Sequence, residues 1–197
     1  VSTVRRSETR REELLAAAVR AFARKGFHGC RVSDIAEEAG VSHGLVYHYF
    51  VSKDEVLETV FRENWGGLAQ AIEEIAATEA PAAEQLRKIV SVVLHAWRRD
   101  PDAVRVLVRE IARSPQLQAR LGEFQQAFDA IERVIERGQV AGELDASLEP
   151  RVATIAVWGM LDEVLTAWVL GRLPADADDV DRAEATVTAM LRRALAP

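Results

Sequence analysis

Apolar residues recur along this chain at intervals of three and four. Nowhere do they alternate with polar ones for long enough to read as a strand. Leu14, Leu15, Ala18, Val19 and Phe22 mark a helix over about 8–25, with Ser7 as a candidate N-cap and Gly26 as its stop. A second helix is expected to start after Ser33, with Glu37 near the capping-box position, and to end at Gly40. A third covers about 43–50. A fourth covers about 53–77, with Gly66 and Gly67 as points where it could bend. Pro81, Pro101, Pro115, Pro150 and Pro174 divide the remainder into helices at about 82–99, 102–113, 116–141, 150–171 and 178–195. The expected fold is all-α with about nine helices, and the chain contains no internal repeat.

At 197 residues, 49% of them hydrophobic, the chain can bury a sizeable core, and a wholly disordered chain is excluded. The single cysteine, Cys30, excludes a disulfide within the chain and any multi-cysteine metal site; it is expected to pack at the turn before the second helix. No run of about 18 apolar residues is free of charge, and the N-terminal segment has no signal-peptide core. A soluble, cytoplasmic protein with no membrane association is therefore expected. The net charge of -6 argues against indiscriminate coating of nucleic acid. The charge is unevenly spread: residues 1–31 hold eight basic and three acidic side chains, residues 32–63 two and seven. A basic first helix is equally consistent with a solvated surface.

The informative stretch is 32–50. Two short helices meet at Gly40, where a sharp turn needs a residue that tolerates positive φ. Ala36 is small enough for close approach, and Ile35, Ala39, Val41 and Val46 supply an apolar face that locks the pair. This is the spacing of a helix-turn-helix unit. Its second helix presents Ser42, His43, Gly44, Leu45, Tyr47, His48 and Tyr49, which suit the major groove and its flanking phosphates, and Lys53 adds a cation at phosphate height. His28, His43 and His48 lack a carboxylate or cysteine at ligand spacing, so no metal is expected.

Phe27-His-Gly-Cys-Arg-Val-Ser-Asp-Ile-Ala, Ala39-Gly-Val-Ser-His-Gly, Val46-Tyr-His-Tyr-Phe and Ser52-Lys-Asp-Glu-Val-Leu closely resemble the N-terminal domain of TetR-family transcriptional regulators, over roughly residues 8–60. The resemblance implies a homodimer. It places a three-helix DNA-binding domain at 1–52 and a larger helical ligand-binding and dimerisation domain at 53–197. By position, Ser42, His43, Gly44, Tyr47, His48 and Lys53 match the family's DNA-contacting sites, and Arg31 and Ser33 match the start of its second helix. Leu45 departs from a frequent polar choice and suits a thymine methyl.

In the larger part, Val152, Ile155, Ala156, Val157, Trp158, Met160, Leu161, Val164, Leu165, Trp168, Val169 and Leu170 cover most of the circumference of the 150–171 helix, which predicts burial on all sides. The last helix carries a stripe of Ala183, Val187, Met190, Leu191 and Leu195. In the TetR family the last two long helices usually form the dimer bundle. Asp162 and Glu163 interrupt the apolar helix and need partners: one is expected to face Arg98, Arg105 or Arg109, and the other to reach a dimer edge.

The segments 158–170 and 105–111 are similar to FadR-like regulators of fatty-acid degradation within that family, which release DNA on binding long-chain acyl-CoA. An acyl chain needs an apolar tunnel, for which Trp65, Leu68, Ile72, Leu94, Trp97, Leu107, Phe124, Phe128, Trp158, Leu161 and Leu165 are available. Arg98, Arg99, Arg105, Arg109 and Arg113 are cations for phosphates at its mouth, and Asp162 is a further candidate ligand contact. No cofactor is expected, only an effector: an acyl-CoA or another apolar small molecule. A TetR-type regulator of an efflux or catabolic gene, induced by a drug-like or aromatic compound, is the alternative. An enzyme acting on a small apolar substrate is disfavoured, because the chain has no nucleophile elbow, zinc-protease motif or phosphate loop.

Overall fold

The computed structural model describes residues 2–111, 114, 117 and 121–197, excluding the side chains of 2–6, 121, 123 and 124. Arg113 and Pro115, and the side chains of Arg5, Arg6 and Phe124, lie outside this set. The described residues form nine helices and no strand: α1 Ser2–Lys25, α2 Val32–Glu38, α3 His43–Tyr49, α4 Lys53–Ala76, α5 Ala82–Arg99, α6 Pro101–Glu110, α7 Leu121–Val140, α8 Pro150–Val169 and α9 Ala177–Ala194.

The starts of α1 and α2 differ from the sequence expectation in their caps. α1 begins at Ser2, so Ser7 lies inside it rather than capping it. α2 begins at Val32, with Arg31 as its N-cap, so Ser33 sits in the first turn. There the Asp34 carboxylate accepts from the Arg31 N–H at 2.7 Å and satisfies the donor that a serine cap would leave to water. α4 is helical straight through Gly66 and Gly67.

The chain divides into two compact units, residues 1–64 with 102–119, and residues 65–101 with 120–197. The sequence expectation was a single cut after residue 52. The first unit packs α1 on α2 and α2 on α3, around Leu14, Phe22, Phe27, Ile35, Val46 and Phe61, all buried. Gly26 (φ 72°) ends α1, and Gly40 (φ 65°) makes the α2–α3 turn. The opposite charge excesses of the two N-terminal stretches meet here: Arg20 and Arg24 both pair with Glu38, Lys25 with Asp34, and Arg11 with Glu63.

The second unit packs α5 against α7, α8 and α9, with Ile89, Val93, Leu94, Ile131, Ile135 and Leu161 at its centre. Glu149 caps α8 by accepting from the N–H groups of Arg151 and Val152. Asp176 and Asp179 form a capping box at the start of α9. By length and composition α8 is apolar enough to cross a membrane, but Ala153, Val157, Leu161, Leu165 and Trp168 bury one side of it in this unit. Its other side is exposed at Val152 and Ile155, so burial on all sides is not met within one chain. On α9, Val187, Leu191 and Leu195 are buried as expected, whereas Met190 is 51% exposed.

Candidate nucleic-acid interface and effector region

The α2–α3 pair is locked by Ile35, Ala36 and Val46, all fully buried. Ala39 and Val41 are half-buried beside the Gly40 turn. With that face occupied, α3 turns Ser42, His43, Gly44, Tyr47 and His48 outward, Tyr47 being 49% exposed. The His43 and Tyr47 rings meet edge to face at 5.0 Å, one helical turn apart. A short exposed helix with imidazole, phenol and hydroxyl donors and no acidic side chain is suited to base edges and phosphates.

Arg31 and Ser33 are exposed at the start of α2. Leu45 and Tyr49 are half-buried, and the Ser7 hydroxyl donates to the Tyr49 phenol at 3.4 Å, so Tyr49 is directed at α1.

Lys53 differs most from expectation. Its ammonium donates to the carbonyls of Phe27 (2.7 Å) and Cys30 (2.8 Å) and sits 4.3 Å from the centre of the Phe27 ring. Rather than standing free for a phosphate, it holds the turn between α1 and α2. The Cys30 thiol is enclosed by the same turn, and burial pushes its pKa up, which keeps it protonated and unreactive.

Of the residues expected to meet an effector, the structure brings three aromatics together in the second unit. Trp65 and Trp158 meet edge to face at 5.3 Å, and Phe128 lies 5.4 Å from Trp158. Leu94 and Leu161 are fully buried, while Leu68, Phe128 and Trp158 are half-buried. Arg151, which was not anticipated, stands over the Phe128 ring and pairs with Asp129 and Glu132.

The expected arginine cluster is divided. Arg98 belongs to the second unit and pairs with Asp181 at 3.0 Å. Arg105 and Arg109 belong to the first, where Arg105 pairs with Asp102 and Arg109 donates to the Ala23 carbonyl. Glu163 pairs with Arg172 at 3.1 Å, and Asp162 has no ion-pair partner among the described residues. Partial desolvation, then the neighbouring Glu163 charge, push the Asp162 pKa up.

A groove of about 880 Å³ opens elsewhere in the second unit, lined by Leu86, Arg87, Leu144, Leu191, Arg192 and Leu195 among others. None of the expected effector contacts lines it. Above it, His95 of α5 stands 3.3 Å from Asp181 and 3.4 Å from Glu184 of α9. By residue type these three are a possible metal set, but the Arg98 guanidinium already supplies the positive charge there and ties α5 to α9. This clasp left no sequence signal, because its partners lie more than eighty residues apart.

The glycine-turned pair with its outward polar helix defines a helix-turn-helix DNA-binding protein. The family described as "Bacterial regulatory proteins, tetR family" matches residues 14–60, and "Tetracyclin repressor-like, C-terminal domain" matches residues 79–169. The chain belongs to the TetR family, whose members are transcriptional regulators rather than enzymes. It is similar to the fatty acid metabolism regulator protein of Bacillus subtilis, with 29% identity over 160 residues, covering 80% of this chain and 82% of that one. Among solved structures it is similar to FadR from Bacillus subtilis in complex with stearoyl-CoA, with a TM-score of 0.80 and 27% identity over 91% of this chain and 96% of that chain. It is also similar to the fatty acid degradation regulator FadR from Bacillus halodurans, with a TM-score of 0.80 and 26% identity over 93% and 98%. Regulators of this family bind DNA operators and dimerise.

Proposed function

We propose that this protein is a repressor of fatty-acid degradation genes that leaves its operator when it binds a long-chain acyl-CoA. The observation that carries the proposal is the likeness, over nearly the whole of both chains, to a regulator solved with stearoyl-CoA. The apolar second unit, with Trp65, Phe128 and Trp158 grouped beside Leu68, Leu94 and Leu161 as further candidate contacts, is chemically suited to an acyl chain. Arg98, Arg105 and Arg109 remain the proposed phosphate contacts, each exchanging its present partner for the ligand, and Asp162 a proposed contact on α8. Acting on DNA, the protein works in the cytoplasm.

DNA is read as a dimer. Val152, Ile155 and Leu170 on α8 and just beyond it, with Met190 on α9, are large apolar side chains left exposed by a single chain. Gly159 faces open space between them, where a partner helix could approach closely. Pairing α8 and α9 with their mates buries this surface, and a dimer of this kind reads a palindrome whose half-sites lie about one DNA turn, ~34 Å, apart. Arg31, Ser33, Ser42, His43, Gly44, Leu45, Tyr47, His48 and Tyr49 are the proposed DNA-facing set. Acyl-CoA acts by binding better to a state in which that spacing is lost.

The test is fluorescence anisotropy on an operator fragment selected from random DNA by the protein itself, titrated separately with stearoyl-CoA, stearate and coenzyme A. Release by stearoyl-CoA alone supports the proposal. Release by none of the three, with a drug-like or aromatic compound recovered by native mass spectrometry, replaces the effector and leaves the DNA-binding assignment standing.

A further inference from the structure

Two helices of the first unit are covalently continuous with the second. α4 passes from one unit to the other between Asn64 and Trp65, and the segment carrying α6 belongs to the first unit although α5 and α7 on either side of it belong to the second. Within the first unit both helices take hold of the same turn, Phe27–Cys30, which delivers the chain into α2. Lys53, at the start of α4, takes the carbonyls at the two ends of the turn. Glu110, in the last turn of α6, accepts from the Phe27 N–H at 3.5 Å. Its neighbour Arg109 donates to the carbonyl of Ala23, one of the last carbonyls of α1, which have no partner within the helix. Consecutive residues of α6 thus hold the end of α1 and the turn that follows it.

Glu110 is an unusual residue for this place. It is 5% exposed, and its second oxygen, Oε2, has no hydrogen-bond partner among the described residues. Burying a carboxylate with half of its acceptor capacity unfilled is unfavourable, and a position needed only for packing is better served by leucine. The one bond it makes is long, so a small shift of α6 is enough to break it. Arg31, the N-cap of α2, follows Cys30 directly. Displacing the turn therefore displaces the start of α2, and with it Ile35 and Ala36 and the α3 helix that packs on α2.

We infer that the Phe27–Cys30 turn is the junction through which effector occupancy reaches α3, with Glu110 as the positioning residue that α6 brings to it. Glu110 touches neither DNA nor effector; it acts through the Phe27 amide. The inference rests on the effector-released repressor proposed above.

The experiment uses the full chain as wild type, Glu110→Gln and Glu110→Ala. The ratio of operator affinities without and with stearoyl-CoA is measured alongside amide hydrogen exchange over residues 26–31 in the protein alone. Glutamine keeps an acceptor for the Phe27 N–H and retains the wild-type ratio. Alanine removes the acceptor, lowers the ratio by about tenfold and speeds exchange at Phe27. Glu110→Leu, which fills the space without an acceptor, replaces the alanine variant if that fails to fold. A variant lacking the acceptor that keeps both the wild-type ratio and wild-type exchange overturns the inference. If stearoyl-CoA fails to release even the wild type, the effector assignment falls and exchange alone decides: faster exchange at Phe27 in the alanine variant supports the junction, and unchanged exchange overturns it.

Discussion

Replacing Lys53 by methionine separates two roles for one side chain. The ammonium makes charge-assisted hydrogen bonds at 2.7 and 2.8 Å to the Phe27 and Cys30 carbonyls and stands over the Phe27 ring. Bonds of this kind contribute about 1.5–3 kcal/mol each, and a cation–π contact about 0.5–2 kcal/mol. Lys53 is half-buried, which places each contribution toward the lower end, and methionine restores most of the apolar stem. The net expectation is a loss of about 2–4 kcal/mol, read as a lower urea midpoint at fixed protein concentration. Operator affinity is then measured against salt. A lost phosphate contact reduces the slope of log affinity against log salt by about 0.9. Because the ammonium is committed to the turn, the slope in Lys53→Met is expected to stay unchanged even where affinity falls. Stability within about 0.5 kcal/mol of wild type, together with a slope reduced by nearly one, refutes this reasoning and returns Lys53 to a phosphate.

Three further outcomes follow from the geometry. In Gly138→Ala the new Cβ would lie 2.6 Å from Ala82 Cβ and 2.8 Å from two Leu144 carbons. A loss of about 1–2 kcal/mol is expected after the helix-propensity gain, and a stability increase in urea titration argues against this close approach. Ile155→Glu places a charge in the exposed stripe of α8; sedimentation is expected to give monomers, and an unaffected dimer moves the interface elsewhere. Hydrogen bonds from Arg20 and Arg24 hold Glu38 below its ordinary 4.5, and Lys25, then the Arg31 N–H, hold Asp34 below its ordinary 3.8. A depressed carboxylate pKa contributes stability above the ordinary value that is lost as pH falls through the folded one. The melting temperature is therefore expected to decline below about pH 4.5, and less steeply in Glu38→Gln; an identical acid limb in the variant removes Glu38 from the account.

The helices and their glycine stops were legible because they depend on neighbours three or four residues away. Gly26 and Gly40 adopt the positive φ that their positions implied. Pro101 and Pro150 begin helices, as a missing N–H allows. The caps were less legible: Ser7 and Ser33 suit a helix start by type, yet α1 extends past the one, and Asp34 serves the start of α2 in place of the other. The outward set on α3 was legible because burying Ile35, Ala36 and Val46 leaves the opposite face to solvent. Partners distant in sequence were not. Position alone made Lys53 a phosphate ligand, whereas the carbonyls that take it lie 23 and 26 residues away. Arg98 and Asp181 are 83 residues apart, as are Phe27 and Glu110. No periodicity along a chain encodes such pairs, because only the packing of whole helices creates them.

The membership of residues 102–119 in the first compact unit has a practical corollary for engineering. A fragment cut after Asn64 would contain every residue proposed to face DNA, but it would lack the buried Ala103, Val104 and Val106 and the bonds that Arg109 and Glu110 make to Ala23 and Phe27. Grafting this reading head onto another sensor therefore requires transplanting the α6 segment from the middle of the chain as well as its beginning. A single-junction fusion is expected to lose operator affinity, whereas a two-piece transplant should retain operator choice.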